Sequence, residues 1–364
     1  MKKTQAQNAI VKRKFYDYKK GTKGYTDSTM TAMIRAIRLW ENFNNAADFG
    51  NFNPAKVKEF VTYLLTKKKP PLSLNSCNHI LHYLRRFYEW LPMLDGYKRR
   101  IKLTDAEYFQ LDRKMAKIAQ YSNERPQPTQ EMIVRAVTTI KIQNELDRRD
   151  QALMALAYLS GMRIKALITL PLRCVDVESL KIKQDPSKGV ETKFTKKIPT
   201  TLFPFDEKLV EIFRQWVKFL REDKLFGDGD PLFPASLLEQ QDENSFIYSA
   251  TKLSKQFWRN TGSAREIFKR RFKEAGLDYY VPHSFRHAAI DKALSLAETD
   301  EQRKAISQNV GHERMATTYD YAPLRPERVA EQIKNLAKPK EEKNTDKLLD
   351  TLAELVKDRI DKDK

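Results

Sequence analysis

The chain has 364 residues, 41% of them hydrophobic, which is enough for two domains with separate cores. Its 67 Lys and Arg against 48 Asp and Glu leave a formal charge of +19, and that surplus favours a polyanionic partner. Cys77 and Cys174 make no disulfide framework, no apolar run approaches a membrane span, and Met1-Lys2-Lys3 leads into polar sequence rather than a signal peptide, so a cytoplasmic, reducing location is expected.

Residues 1–24 hold eight Lys/Arg against the single acid Asp17 and are expected as a basic arm, either a disordered tail or an extension that follows phosphates. Residues 25–121 read as a bundle of about four helices. The first opens near Thr26–Ser28 and carries Met30, Met33, Ile34, Ile37 and Trp40 on one face. Asn53-Pro54 caps and starts the second, with Val57, Phe60, Val61 and Leu64 as its stripe. Ser73 caps the third, which turns Cys77, Ile80, Leu81, Leu84, Phe87, Tyr88 and Leu91 inward. The fourth is expected over Thr104–Ala119 with Tyr108, Leu111, Met115 and Ile118. Lys67, Lys68, Lys69, Arg85, Arg86, Lys98, Arg99 and Arg100 are left outside, and so many cations on one bundle read as a DNA-facing surface rather than a merely solvated one. His79 and His82 lie near Cys77 but lack the companions that complete a tetrahedral zinc site.

Residues 122–128, with Pro126 and Pro128, form a polar linker. In the second domain, 129–337, Thr129 caps a helix carrying Met132, Ile133, Ala136, Val137 and Ile140. The helix near Asp147–Ser160 is apolar almost all round and is therefore buried. Arg163 follows its end, where a guanidinium must be paired or aimed into a pocket. Val175–Lys183 and Val190–Pro199 alternate around Asp185-Pro186-Ser187-Lys188-Gly189, the pattern of a small antiparallel sheet with lysines on its turns. Helices are expected at Asp206–Glu222, Lys252–Trp258, Arg265–Ala275, Pro282–Ala297 and Arg303–Val310, with Asp228–Gln241 loop-rich. Residues 338–364 balance eight basic against eight acidic residues, and Leu348, Leu349, Leu352, Leu355, Val356 and Ile360 stripe a charged helix that packs on its own domain or docks on a neighbouring molecule. The fold class is mainly α with a small antiparallel sheet: a helical N-terminal DNA-binding bundle followed by an α+β catalytic domain.

Three of the five histidines, His283, His287 and His312, fall between Pro282 and Tyr321. A phosphodiester passing to a protein hydroxyl gathers negative charge on its non-bridging oxygens, which arginines grip without ever losing their own charge. A tyrosine can take the phosphoryl group covalently, but its ordinary pKa of about 10 calls for a base or a cationic field beside it. Histidine is the obvious base, and a lysine can protonate the leaving oxygen. Neither a Gly-rich phosphate loop nor a dinucleotide fingerprint is present, which argues against ATP- or NAD-driven chemistry, and no metal or other cofactor is expected.

Gly161-Met162-Arg163, His283-Ser284-Phe285-Arg286-His287, Gly311-His312 and Thr317-Thr318-Tyr319-Asp320-Tyr321 occur in that order, and over roughly residues 20–330 the chain resembles the tyrosine recombinase (phage-integrase-type) family. The resemblance implies that Arg163 and Arg286 bind the scissile phosphate, that His283 acts as base or phosphate contact, and that His312 adds a hydrogen bond. It makes Tyr321 the nucleophile, leaving a 3′-phosphotyrosyl link and a free 5′-hydroxyl. Tyr319 is the rival, otherwise a packing aromatic. The family's lysine lies in a sheet turn, here Lys193, with Lys188 and Lys196 as alternatives. His287 is a structural or supporting residue. Where the family has an acid three residues after the first arginine, this chain has Ala166, so either another acid orients Arg163 or the pocket is looser. The implied partners are double-stranded DNA, held in a clamp, and further copies of the chain, a tetramer during synapsis, with 338–364 a candidate for exchange between copies. The competing readings are an architectural DNA-binding protein that has lost catalysis and a type IB-like topoisomerase.

Overall fold

A computed structural model describes residues 3–121, 126–242, 245–320, 329–330 and 333–334. The chain divides into two compact units, Met1–Arg125 and Pro126–Lys364. The first unit contains α1 (Lys3–Lys23), α2 (Asp27–Phe43), α3 (Pro54–Thr62), α4 (Leu74–Trp90) and α5 (Arg113–Tyr121). The expected caps form: Thr26, Asn53 and Ser73 each accept a first-turn backbone N–H through the side chain. The core is aromatic, with Trp40 edge-on to Phe60 and Phe109, and its indole N–H donates to the buried Tyr88 hydroxyl at 2.9 Å.

Two expectations fail in this unit. Where a basic arm was expected over 1–24, residues 3–23 form α1, whose Val11 and Phe15 are buried in the core, Phe15 edge-on to Phe87 and Trp90. The spacing of Val11, Phe15 and Tyr18 places three apolar residues on one helical face, and the lysines occupy the rest. The fourth helix is split. Leu103–Tyr108 is a 3₁₀ segment and α5 starts only at Arg113, after Asp112 has turned its carboxylate back to the N–H of Met115. Phe109 and Leu111 are consequently buried, while Tyr108, Met115 and Ile118 stay exposed.

The second unit contains α6 (Gln130–Thr138), α7 (Glu145–Ser160), α8 (Ile164–Ile168), β1 (Val175–Asp176), β2 (Lys181–Gln184), β3 (Ile198–Thr201), α9 (Glu207–Lys218), β4 (Ser236–Asp242), β5 (Ser245–Leu253), α10 (Gly262–Glu274), α11 (Pro282–Leu296), α12 (Asp300–Asn309) and α13 (Met315–Asp320). As its composition requires, α7 is the buried axis, capped by an Asn144–Asp147 capping box and ended at Gly161, which takes the left-handed φ of +58°. One charged cluster holds it in place. The fully buried Asp150 carboxylate accepts from Arg149 at 2.9 Å, Arg270 at 2.5 Å and Arg271 at 2.8 Å, and Arg271 also reaches Asp147 at 2.5 Å. Taking those charges out of water is offset only because each is hydrogen-bonded, and the geometry ties α7 to α10.

Strands β1, β2 and β3 form the expected antiparallel sheet, with Ile182 opposite Thr200 and Gln184 opposite Ile198. A second ribbon, β4–β5, stands where loop and helix were expected; Lys252 and Leu253 end a strand, and Lys255–Trp258 is not helical.

Candidate active site

Three segments remote in sequence meet around one guanidinium. Arg286 lies in the first turns of α11, which Pro282 starts, and it is 1% exposed. Its Nη1 donates to the carbonyl of Gly161 at 2.6 Å and its Nη2 to the carbonyl of Val310 at 2.7 Å. The left-handed turn at Gly161 exposes one acceptor, and the close of α12 supplies the other. Arg286 thus joins the end of α7 to the end of α12.

Nη2 also lies 2.8 Å from His312 Nε2. A guanidinium only donates, so Nε2 accepts and the imidazole proton sits on Nδ1. Nδ1 lies 2.9 Å from Thr318 Oγ1, and that hydroxyl donates to Ser307 Oγ at 2.8 Å. Burial pushes the His312 pKa down to about 3, and the charges of Arg286, Arg163, Lys193 and His283 press the same way. His312 is therefore neutral at physiological pH. His283 and His287, one turn apart on α11, stack edge to face with ring centroids 4.9 Å apart.

Arg163 is half-buried and starts α8, where its carbonyl accepts from Leu167. Among the described residues its guanidinium has no hydrogen-bond or ion-pair partner. Ala166 is buried, and the nearby acid Glu191 is engaged by Lys165 at 3.1 Å. No carboxylate among the described residues takes the place of the missing acid.

Lys193 lies in a single 3₁₀ turn between β2 and β3, exposed, its ammonium 4.9 Å from the centre of the Phe194 ring. Phe194 and Thr195 both have positive φ, +60° and +53°, conformations that cost bulky residues free energy. Of the alternatives, Lys196 pairs with Glu313, next to His312, and Lys188 offers its carbonyl to Arg173. The sheet itself is pinned to the histidine loop. Thr201 and Asn309 exchange hydrogen bonds of 2.6 and 2.9 Å, Thr200 Oγ1 donates to the Asn309 carbonyl, and Gly311, at φ +70°, leaves no room for a Cβ against Ile198.

Tyr319 is 48% exposed on α13, so it is not a packed aromatic, and Tyr321 lies outside the described residues, as do the segment 338–364 and residues 122–125 of the linker. Of the surface cations, Arg85 pairs with Glu89, Arg86 donates to His82 and Tyr25, and Arg100 pairs with Asp48. Lys67, Lys68, Lys69, Lys98 and Arg99 have no ion pair among the described residues. The sequence reading gave no role to Thr318 or Ser307; the signal was present only as the second threonine of the Thr317-Thr318 pair.

The phage integrase family profile matches residues 129–328, and that of the phage integrase N-terminal SAM-like domain matches residues 13–95. The tyrosine recombinase XerC of Leptospira interrogans serogroup Icterohaemorrhagiae serovar copenhageni is 23% identical over 322 residues, spanning 88% of this chain and 90% of that protein. XerC of Lacticaseibacillus casei is 22% identical, spanning 84% and 91%. Among solved structures, a lambda integrase dimer bound to a COC′ core site shares the fold with a TM-score of 0.59 at 13% identity, covering 86% of this chain and 95% of that one. XerH bound to a palindromic difH substrate also scores 0.59, at 14% identity and 84% and 79% coverage. A lambda integrase tetramer bound to a Holliday junction scores 0.54 at 13% identity, covering 86% and 77%.

Proposed function

This chain belongs to the phage integrase family and is a site-specific tyrosine recombinase, and on that footing we propose that it cuts and rejoins duplex DNA through Tyr321. The Tyr321 oxygen attacks the scissile phosphorus, the bond from phosphorus to the 5′-oxygen breaks, and Lys193 gives that oxygen its proton. Arg163 and Arg286 hold the non-bridging oxygens as their charge grows, and His283 takes the tyrosine proton. His312 completes the phosphate pocket. A free 5′-hydroxyl from a second site then reverses the chemistry on the 3′-phosphotyrosyl link and completes the exchange. Charge stabilisation comes from arginine throughout, so the scheme calls for no cofactor.

The observation that carries this reading is the 2.8 Å contact of Arg286 with the neutral His312, on which Arg163, Lys193 and His283, drawn from three separate segments, also bear. In the same reading the first unit binds the core of the DNA site, with Lys67, Lys68, Lys69, Arg85, Arg86, Lys98, Arg99 and Arg100 contacting phosphates. The second unit is catalytic. Four copies assemble at synapsis, as lambda integrase does on a Holliday junction, with residues 338–364 exchanged between neighbours.

The test uses DNA selected by binding from a random pool, rebuilt as a nicked suicide substrate. Wild type forms an SDS-resistant adduct. Tyr321→Phe binds and forms none, and Tyr319→Phe still forms it. Adduct retained by Tyr321→Phe and lost by Tyr319→Phe would move the nucleophile to Tyr319. One observation favours a second reading: Ala166 and the absence of a carboxylate on Arg163 among the described residues suit an architectural protein that binds without cutting. Firm binding by wild type with no adduct would support that reading instead.

A further inference from the structure

We infer that Thr318 and Ser307 are positioning residues: they accept the Nδ1–H that Arg286 imposes on His312, hold the imidazole with Nε2 facing Arg286, and make that arrangement depend on the seating of α13. The chain of contacts runs Arg286 Nη2 to His312 Nε2 at 2.8 Å, His312 Nδ1 to Thr318 Oγ1 at 2.9 Å, and Thr318 Oγ1 to Ser307 Oγ at 2.8 Å. All four side chains are buried, Thr318 completely. Each hydroxyl has one proton, so the order of donors is fixed from one end. Arg286 can only donate, Nε2 must accept, Nδ1–H donates to Thr318, and Thr318 donates to Ser307. Reversing the imidazole tautomer would set an Nε2–H against a guanidinium donor and leave Nδ1 facing a hydroxyl already committed to Ser307.

The placement of Thr318 gives the relay a consequence for the reaction. Thr318 lies on α13, three residues ahead of Tyr321, whereas Ser307 lies on α12 and His312 in the loop between them. Withdrawing α13 therefore removes the acceptor from Nδ1. The electrostatic state of the phosphate pocket then reports whether the helix leading to the nucleophile is docked. This rests on the assignment of Arg286 and Tyr321 proposed above.

The experiment compares wild type, Thr318→Val, Thr318→Ser and Ser307→Ala. ¹H–¹⁵N correlation spectra of the free full chain give the Nδ1–H resonance of His312, slow to exchange while hydrogen-bonded and assigned by its loss in His312→Asn, and the nicked substrate gives adduct rate separately from DNA affinity. Thr318→Val keeps the shape of the side chain without the hydroxyl. It is expected to lose the Nδ1–H signature and to slow adduct formation by about tenfold to a hundredfold at unchanged affinity. Thr318→Ser restores both, and Ser307→Ala shows the same defects in milder form. The inference is overturned if Thr318→Val keeps the Nδ1–H signature, or loses it while forming adduct at the wild-type rate. A loss of affinity equal to the loss of rate, unrescued by serine, would reduce Thr318 to a packing residue. Because the Nδ1–H resonance is read without DNA, a wild type that binds but never cuts would refute the catalytic reading while the spectra still decide the relay.

Discussion

The surroundings of Arg286 and those of Lys193 are built on opposite principles. Arg286 is 1% exposed, and its hydrogen bonds reach two backbone carbonyls and a histidine that is itself held by the Thr318 hydroxyl, which Ser307 holds in turn. Lys193 is exposed on a turn with positive φ at two non-glycine residues and rests on an aromatic ring that is 71% exposed. Folding therefore fixes Arg286 before any substrate arrives, because a buried guanidinium is tolerated only with acceptors already in place. The lysine is held by little beyond a contact that water weakens. Rigid preorganisation suits a group that stabilises charge, and mobility suits one that must reach a leaving group and give up a proton.

The strongest attack on this contrast is Arg286→Ala. It leaves the Gly161 and Val310 carbonyls buried without their donor, and we expect a loss of roughly 3 kcal/mol or more in urea unfolding of the second unit, together with loss of cleavage. An unfolding midpoint equal to wild type would show that the arginine does not brace the fold. Next is a pH effect at His312. Its pKa of about 3 in the folded chain lies below the ordinary value of about 6.5, so protons bind the unfolded state more readily. The stabilisation is fully present above pH 6.5 and is lost as pH falls toward about 3. Between pH 7 and pH 5, wild type should lose up to about 2 kcal/mol more than His312→Asn. Equal losses in the two proteins would place His312 in a more solvated setting. The smallest effect on stability belongs to Lys193→Ala, within about 0.5 kcal/mol of wild type, although adduct formation falls by about a hundredfold. If Lys193→Ala cleaves normally and Lys196→Ala does not, the proton donor is Lys196.

What could be read from the sequence follows the same division. The buried helix α7 was legible because apolar residues on every face leave no alternative, and the motifs around Arg163 and His312 follow the ends of α7 and α12 while that around Arg286 opens α11. The role of α1 was hidden because seven cations dominate its composition, although the spacing of Val11 and Phe15 carried the signal. The break before α5 depended on one aspartate folding back on the chain, and β4–β5 on a pairing between residues whose local sequence is largely polar. The triple pairing of Asp150 and the relay through Thr318 were out of reach. Each depends on hydroxyls, carboxylates or guanidinium groups brought together across the fold, which no local periodicity encodes.

The bridge from Gly161 to Val310 through Arg286 also bears on how the protein is made. A ribosome releases residue 161 long before residue 310. Until the later segment emerges, the arginine lacks one of its carbonyl acceptors and the histidine it addresses. An unfinished chain thus lacks the assembled cluster around Arg286 on which the proposed phosphate pocket rests. On the proposed assignment, cutting competence arrives only with the last helices.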